Sequence, residues 1–247
     1  MRDYLRGRNF NQARLDAIAA LDLARALPRD GALPAWAQMG QRDWRARGYR
    51  LVFPLVNADG AVESLNARHL GNATPKYLAA TGYEMRELVG ANPEARRMLA
   101  GQHRPQRLVI TEGMTDYLKA ATDEAVDRPA YVPVYAAIER LRHHGATNTE
   151  TDYPPGYCFL CGLSLRPDTT RCDACDTAVR LWADSGMTYN EAVLTVFSGS
   201  WSNALAAHVP AKLEAILVTD NDEAGESYAR TIAATLTHCV VSRLKIT

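Results

Sequence analysis

Apolar residues recur along this chain with two different periods, and the change of period divides it. Between Asn11 and Leu27 they fall at three- and four-residue steps, at Leu15, Ile18, Ala19, Leu23 and Leu27, which predicts a helix. Pro28, Gly31 and Pro34 break the pattern, and a second short helix is expected around Trp36 and Met39. Tyr49–Val56 and 61–67 are β-rich runs separated by Asn57-Ala58-Asp59-Gly60. Asp-Gly between such runs signals a hairpin, because it suits the left-handed backbone of a tight turn. Residues 71–77 read as a loop and 94–100 as a short helix.

Four compact apolar runs follow, at Arg107–Thr111, 193–197, 215–219 and Val240–Ile246. Helical patterns are expected at 115–121, from about Trp201, and from Asp222 to about Leu236. Strands alternating with helices predict an α/β fold with a parallel sheet and helices packed on it. Between the first and second runs lies a stretch of about 126–188, rich in proline and cysteine. It is too long for a plain loop in a compact domain and reads as an inserted subdomain.

Composition narrows the class. The chain has 247 residues, 47% hydrophobic and 23% charged, which fits a globular protein with a sizeable core. Lys+Arg and Asp+Glu are both 28, so nucleic acid cannot be held by bulk charge and would need local basic patches. No apolar run approaches the roughly 20 residues of a membrane span. The N-terminus carries no apolar stretch of the signal-peptide kind, so a cytoplasmic, reducing setting is expected.

Five cysteines in such a setting argue against a disulfide scaffold. Cys158-x₂-Cys161-x₁₀-Cys172-x₂-Cys175 has the form of two thiolate knuckles, with Gly162 after the second cysteine. This spacing fits a closed structural Zn²⁺ site, with an iron–sulfur cluster as the rival. Arg166, Arg171 and Arg180 lie near it and could meet DNA, while His143-His144 reads as exposed. Cys239, beside a β-run, is expected to be buried.

Acids collect where strands end. Glu112 follows one run, Asp116 lies a helical turn later, and Asp220 and Asp222 follow another. At the carboxyl ends of a parallel sheet these carboxylates would share one rim and repel one another without a cation. Hard oxygen ligands suit Mg²⁺ or Mn²⁺, metals that serve phosphoryl transfer. The competing reading makes each acid a helix N-cap. Ser198-Gly199-Ser200 divides the same way, between a phosphate cradle and a capping turn. Arg42, Arg45, Arg47 and Arg50, with Trp44 and Tyr49 between them, form either a basic track or a solvated face.

Thr111-Glu112-Gly113-Met114-Thr115-Asp116 resembles the first motif of TOPRIM domains, and Thr219-Asp220-Asn221-Asp222-Glu223-Ala224-Gly225 resembles the second. Upstream, Tyr4-Leu5-Arg6-Gly7-Arg8 resembles the start of the catalytic core of bacterial DnaG-type primases. Arg50-Leu51-Val52-Phe53-Pro54-Leu55 with Asp59-Gly60 is similar to its hairpin. Asn66-Ala67-Arg68 with Gly71-Asn72-Ala73-Thr74-Pro75-Lys76-Tyr77-Leu78 is similar to its basic motif. The matches run in order from about residue 4 to 125 and from about 190 to 246. In that family a further acidic motif usually follows the strand equivalent to Val240–Ile246.

The resemblance implies a Rossmann-like TOPRIM sheet with helices on both faces, spanning 105–247 and interrupted by the zinc-knuckle insertion at 126–188. It also implies an N-terminal α+β primase-type subdomain over 1–104. Glu112, Asp220 and Asp222 would bind Mg²⁺ or Mn²⁺, with Asp116 assisting. Arg68, Lys76 and Tyr77 would meet template, nascent RNA or nucleotide phosphates, a role that suits their cations and stacking face. The implied activity is RNA primer synthesis from ribonucleoside triphosphates on single-stranded DNA. A replicative helicase or other replication protein would be the partner, and a phage or mobile element the setting. The alternatives are a TOPRIM metal-dependent nuclease and a non-catalytic DNA- or partner-binding replication module.

Overall fold

The structure, a computed structural model, describes residues 2–127, 191–197 and 200–246. The chain divides into two compact units, one of Met1–Glu124 with Tyr189–Thr247 and one of Ala125–Thr188. In the first, helices α1 (Arg2–Arg6) and α2 (Gln12–Ala20) precede strands β1 (Arg25–Ala26), β2 (Gln38–Met39) and β3 (Arg42–Asp43). Strands β4 (Tyr49–Val56), β5 (Val62–His69), β6 (Tyr77–Ala79) and β7 (Gly90–Ala91) lead to α3 (Pro93–Leu99). Then come β8 (Arg107–Thr111), α4 (Met114–Asp127), β9 (Glu191–Thr195) and α5 (Asn203–Ala207). Strand β10 (Glu214–Asp220), α6 (Glu223–Thr235) and β11 (Val240–Ile246) complete the described elements.

The main sheet has the order β11-β10-β8-β9-β7, parallel except for the short edge strand β7. Its central strands are continuous apolar runs because both faces are covered, which leaves no polar side to alternate with. Leu108, Ile110, Ala192, Leu194, Ala215 and Leu217 pack on one face with Met98 of α3, Leu205 of α5 and Ile232 of α6. Val109, Val193 and the half-buried Val218 point the other way. They meet Tyr117, Leu118 and Ala121 of α4 and Leu15 and Ile18 of α2. The fold class is thus α/β, with a mostly parallel sheet and helices on both faces. Asn92 joins sheet to helix: its Oδ1 accepts from Ala95 N–H as the α3 cap, and also from Val193 N–H of β9. No described helix is long and apolar enough to cross a membrane.

A second sheet, β1-β4-β5-β6, carries the hairpin. Strands β4 and β5 pair antiparallel, and Gly60 closes the turn at φ 75° with its backbone against Arg96. A Cβ there would lie 2.3 Å from the Arg96 carbonyl oxygen, so glycine is needed for space as well as for φ.

Three expectations change. The 11–27 helix ends at Ala20: Asp22 takes φ 51°, and Arg25 and Ala26 pair with Val52 and Leu51 as a strand. Leu23 and Leu27 are still buried, so the apolar spacing reported burial correctly and conformation wrongly. Trp36 sits in a single 3₁₀ turn, Ala35–Ala37, while Met39 is in β2. In the arginine run, Arg42 and Arg47 are exposed, as a solvated face requires, and Arg45 and Arg50 are half-buried. Trp44 and Tyr49 are core residues, and Arg45 binds the Pro28 and Gly31 carbonyls and Asp43.

Cys239 is half-buried. Cys158, Cys161, Cys172, Cys175, His143, His144, Arg166, Arg171, Arg180, Ser198 and Gly199 lie outside the described residues.

Candidate functional site: an acidic rim beside a cation–aromatic stack

Strands β8 and β10 are adjacent and parallel, so their carboxyl ends open on one rim. Glu112 extends the pairing by one residue, its N–H donating to the Val218 carbonyl at 3.1 Å. Its side chain turns across the rim. There Oε2 accepts the Asp220 main-chain N–H at 3.2 Å, joining residues 108 apart in sequence. The Asp220 carboxylate stays exposed. Asp116 stands half-buried in the first turn of α4. Asp222 is the N-cap of α6, with Oδ1 accepting from Gly225 N–H at 2.7 Å. For Asp222 the capping role is therefore real.

Neighbouring charges act on Glu112 and Asp116. Burial raises the Glu112 carboxyl above its ordinary range. The Asp220 N–H works against that shift, and the charges of Asp220 and Asp222 add to it. Burial likewise raises Asp116, with Lys119 opposing and Asp220 adding. A raised native pKa means that ionisation costs stability. The contribution is favourable below the unfolded value, near pH ~4, and is lost as pH rises through the native one. Asp116→Asn is therefore expected to raise the melting temperature at neutral pH, with the gain gone below about pH 4. Equal midpoints at neutral pH would refute it.

Among the described residues, no three His, Cys, Asp or Glu side chains converge as a preassembled metal site. The donor chemistry nonetheless fits a hard divalent cation. Glu112 and Asp222 each commit one oxygen to a main-chain N–H and keep a second, and Asp220 is exposed.

Arg68 and Tyr77 occupy the neighbouring ground. They pair across β5 and β6, and Arg68 donates to the Tyr77 hydroxyl and, from Nε, to the Tyr4 hydroxyl at 2.5 Å. Its guanidinium lies 4.9 Å from the Tyr77 ring centre and 5.7 Å from that of Tyr4, with Arg8 at 5.0 Å on Tyr4. The Tyr77 ring meets Phe197, which follows β9, edge to face at 5.8 Å; burial pushes the Tyr77 hydroxyl up, with Arg68 and the main chain of Met114, beside the rim, opposing the shift. Arg68→Lys keeps the charge and loses the fork, so a stability loss of about 1 kcal/mol is expected from chemical denaturation. Lys76 is exposed, one residue before β6.

No family model matches the chain. No curated protein matches it either. Among solved structures it is similar to a DnaG primase catalytic domain bound to ssDNA, at 14% identity and TM-score 0.48. That likeness covers 100% of this chain and 65% of the other. A DnaG catalytic core gives 16% identity and TM-score 0.48, over 100% of this chain and 64% of that one. The E. coli primase catalytic core gives 12% and 0.42, over 97% and 54%. The chain thus spans at most about two thirds of the length of these structures.

Sequence reasoning missed three members of this site. Tyr4 and Arg8 stood in a quoted motif but gained no role there, because nothing local links them to Arg68. Arg243 of β11 carried no signal at all. It donates from Nε to Thr219 Oγ1 at 2.8 Å, from Nη2 to the Asp220 carbonyl at 3.0 Å, and from Nη1 to Glu226. Ser200, expected in a phosphate cradle or a capping turn, closes the turn behind it, its Oγ accepting from Phe197 N–H at 2.8 Å, while the N-cap of α5 is Ser202.

Proposed function

We propose that this chain is a primase-type nucleotidyltransferase core that joins ribonucleotides on a single-stranded DNA template. The observation that carries the reading is the Glu112–Asp220 contact. It sets two carboxylate-bearing strand ends on one rim, beside the stack of Tyr4, Arg68 and Tyr77. Glu112, Asp220 and Asp222 would hold Mg²⁺ or Mn²⁺, with Asp116 assisting. When bound, such an ion polarises phosphate oxygens and lowers the pKa of an attacking hydroxyl.

The chain's own residues supply placement. Arg8 and Lys76, exposed beside the stack, offer contacts to phosphate. Arg68 keeps the Tyr77 ring fixed between β6 and Phe197, so that this wall of the site stays rigid. In this reading residues 1–104 carry the template- and nucleotide-facing cations, 105–247 the acids, and 126–188 a knuckle in which Cys158, Cys161, Cys172 and Cys175 hold structural Zn²⁺. A chain of zero net charge gains little from bulk attraction to DNA, so a replication partner such as a helicase would supply residence on the template.

The test is a priming assay with single-stranded DNA, labelled ribonucleoside triphosphates and Mg²⁺ or Mn²⁺. Short labelled oligomers are expected. Metal-dependent shortening of the DNA in their place would make the rim a nuclease site. Neither activity would leave a binding module.

A further inference from the structure

Arg243 is a charged side chain, 16% exposed, on the described edge strand of the sheet. It spends its fork on one neighbourhood. Thr219, the Asp220 carbonyl and Glu226 all lie at the carboxyl end of β10 or on the helix that follows it. The Asp220 residue is thereby gripped from three sides. Its N–H donates to Glu112, its C=O accepts from Arg243, and the Gly225 backbone abuts that same carbonyl oxygen. The hydroxyl of Thr219, 1% exposed, fixes the guanidinium from beneath. A planar fork with donors in fixed directions can hold such an arrangement, whereas a flexible ammonium cannot.

We propose that Arg243 is a positioning residue for the acidic rim. Its fork sets the main chain of Asp220, and with it the spacing of the Glu112 and Asp220 carboxylates, so that Arg243 governs divalent-ion affinity without touching the ion. The inference rests on the reading of the rim as the ion site. Groups that hold ligands in place, rather than bind the ion, typically control its affinity by about 10–100-fold.

The experiment titrates the full chain with Mn²⁺ and follows the free ion by electron paramagnetic resonance, which requires no turnover. Arg243→Lys retains the charge and can still pair with Glu226. Arg243→Met retains only length. Both are expected to weaken Mn²⁺ binding by about tenfold or more, while Arg243→Lys melts near wild type. Thr219→Val removes the Nε contact alone and should weaken binding less, without adding to the Arg243→Met loss, since both act through one fork.

Wild-type affinity in Arg243→Lys overturns the inference, because an ammonium replaces a guanidinium that serves only as counter-charge or ion pair. If the Arg243 variants do not fold, Thr219→Val decides, and unchanged Mn²⁺ affinity there overturns it. Asp220→Ala separates the two levels. Loss of Mn²⁺ binding in Asp220→Ala with full binding in Arg243→Lys removes the positioning role alone. Unchanged binding in Asp220→Ala removes the rim as ion site and the positioning role with it.

Discussion

Asp220→Ala is expected to cut oligomer synthesis by more than about a hundredfold while leaving the fold intact. The separation follows from how Asp220 is held. Its main chain makes the contacts to Glu112 and Arg243, and these survive truncation to alanine, while its carboxylate projects into solvent. Losing that carboxylate removes a proposed ion ligand and no packing. Asp222 offers a complementary pair. Asp222→Ala loses both the charge and the α6 cap, at a stability cost of about 1 kcal/mol. Asp222→Asn keeps a capping oxygen and should lose activity at little cost in stability. Oligomer yields are read with melting curves on the same preparations. Full synthesis by a well-folded Asp220→Ala chain would sink the proposed chemistry.

Gly225→Ala is expected to destabilise the protein by about 3 kcal/mol, against the direction that helix propensity predicts. Gly225 lies in the first turn of α6, where alanine ordinarily favours the helix by about 1 kcal/mol. Here an added Cβ would stand 2.3 Å from the Asp220 carbonyl oxygen and 3.1 Å from its carbonyl carbon and amide nitrogen. These atoms are backbone, pinned by Glu112 on one side and Arg243 on the other, so no side-chain rotation relieves the overlap. Relief requires α6 to move off β10, which would also pull the Asp222 cap from the rim. A fall in melting temperature of roughly 6–12 °C follows at this chain length. A midpoint at or above wild type would show that β10 and α6 are not in this contact. Gly113→Ala is the milder comparison, since its Cβ meets only the movable Asp116 carboxylate, at 2.9 Å.

Much of this architecture is written locally. The runs Arg107–Thr111 and Val240–Ile246 are strands as their composition predicts, and Asn57-Ala58-Asp59-Gly60 closes the hairpin its turn chemistry calls for. The acids stand at strand ends because strand and helix signals bracket them. Such features depend on neighbours within a few residues, where steric and hydrogen-bonding preferences act.

Spacing alone misled where one burial pattern suits two conformations, as at Leu23 and Leu27, which are buried on either side of a strand that pairs with β4. The sequence by itself thus determined the long strands of the main sheet and the hairpin, their alternation with helices, and the placing of carboxylates at strand ends. Tertiary structure alone decided which ends meet. The order β11-β10-β8-β9 sets Glu112 against Asp220 and lays Arg243 against the Asp220 carbonyl, and α1 brings Tyr4, with Arg8 on its ring, to Arg68. The Tyr4–Arg68 and Glu112–Asp220 contacts join residues 64 and 108 positions apart, held by tertiary packing, and no local preference of the chain encodes them.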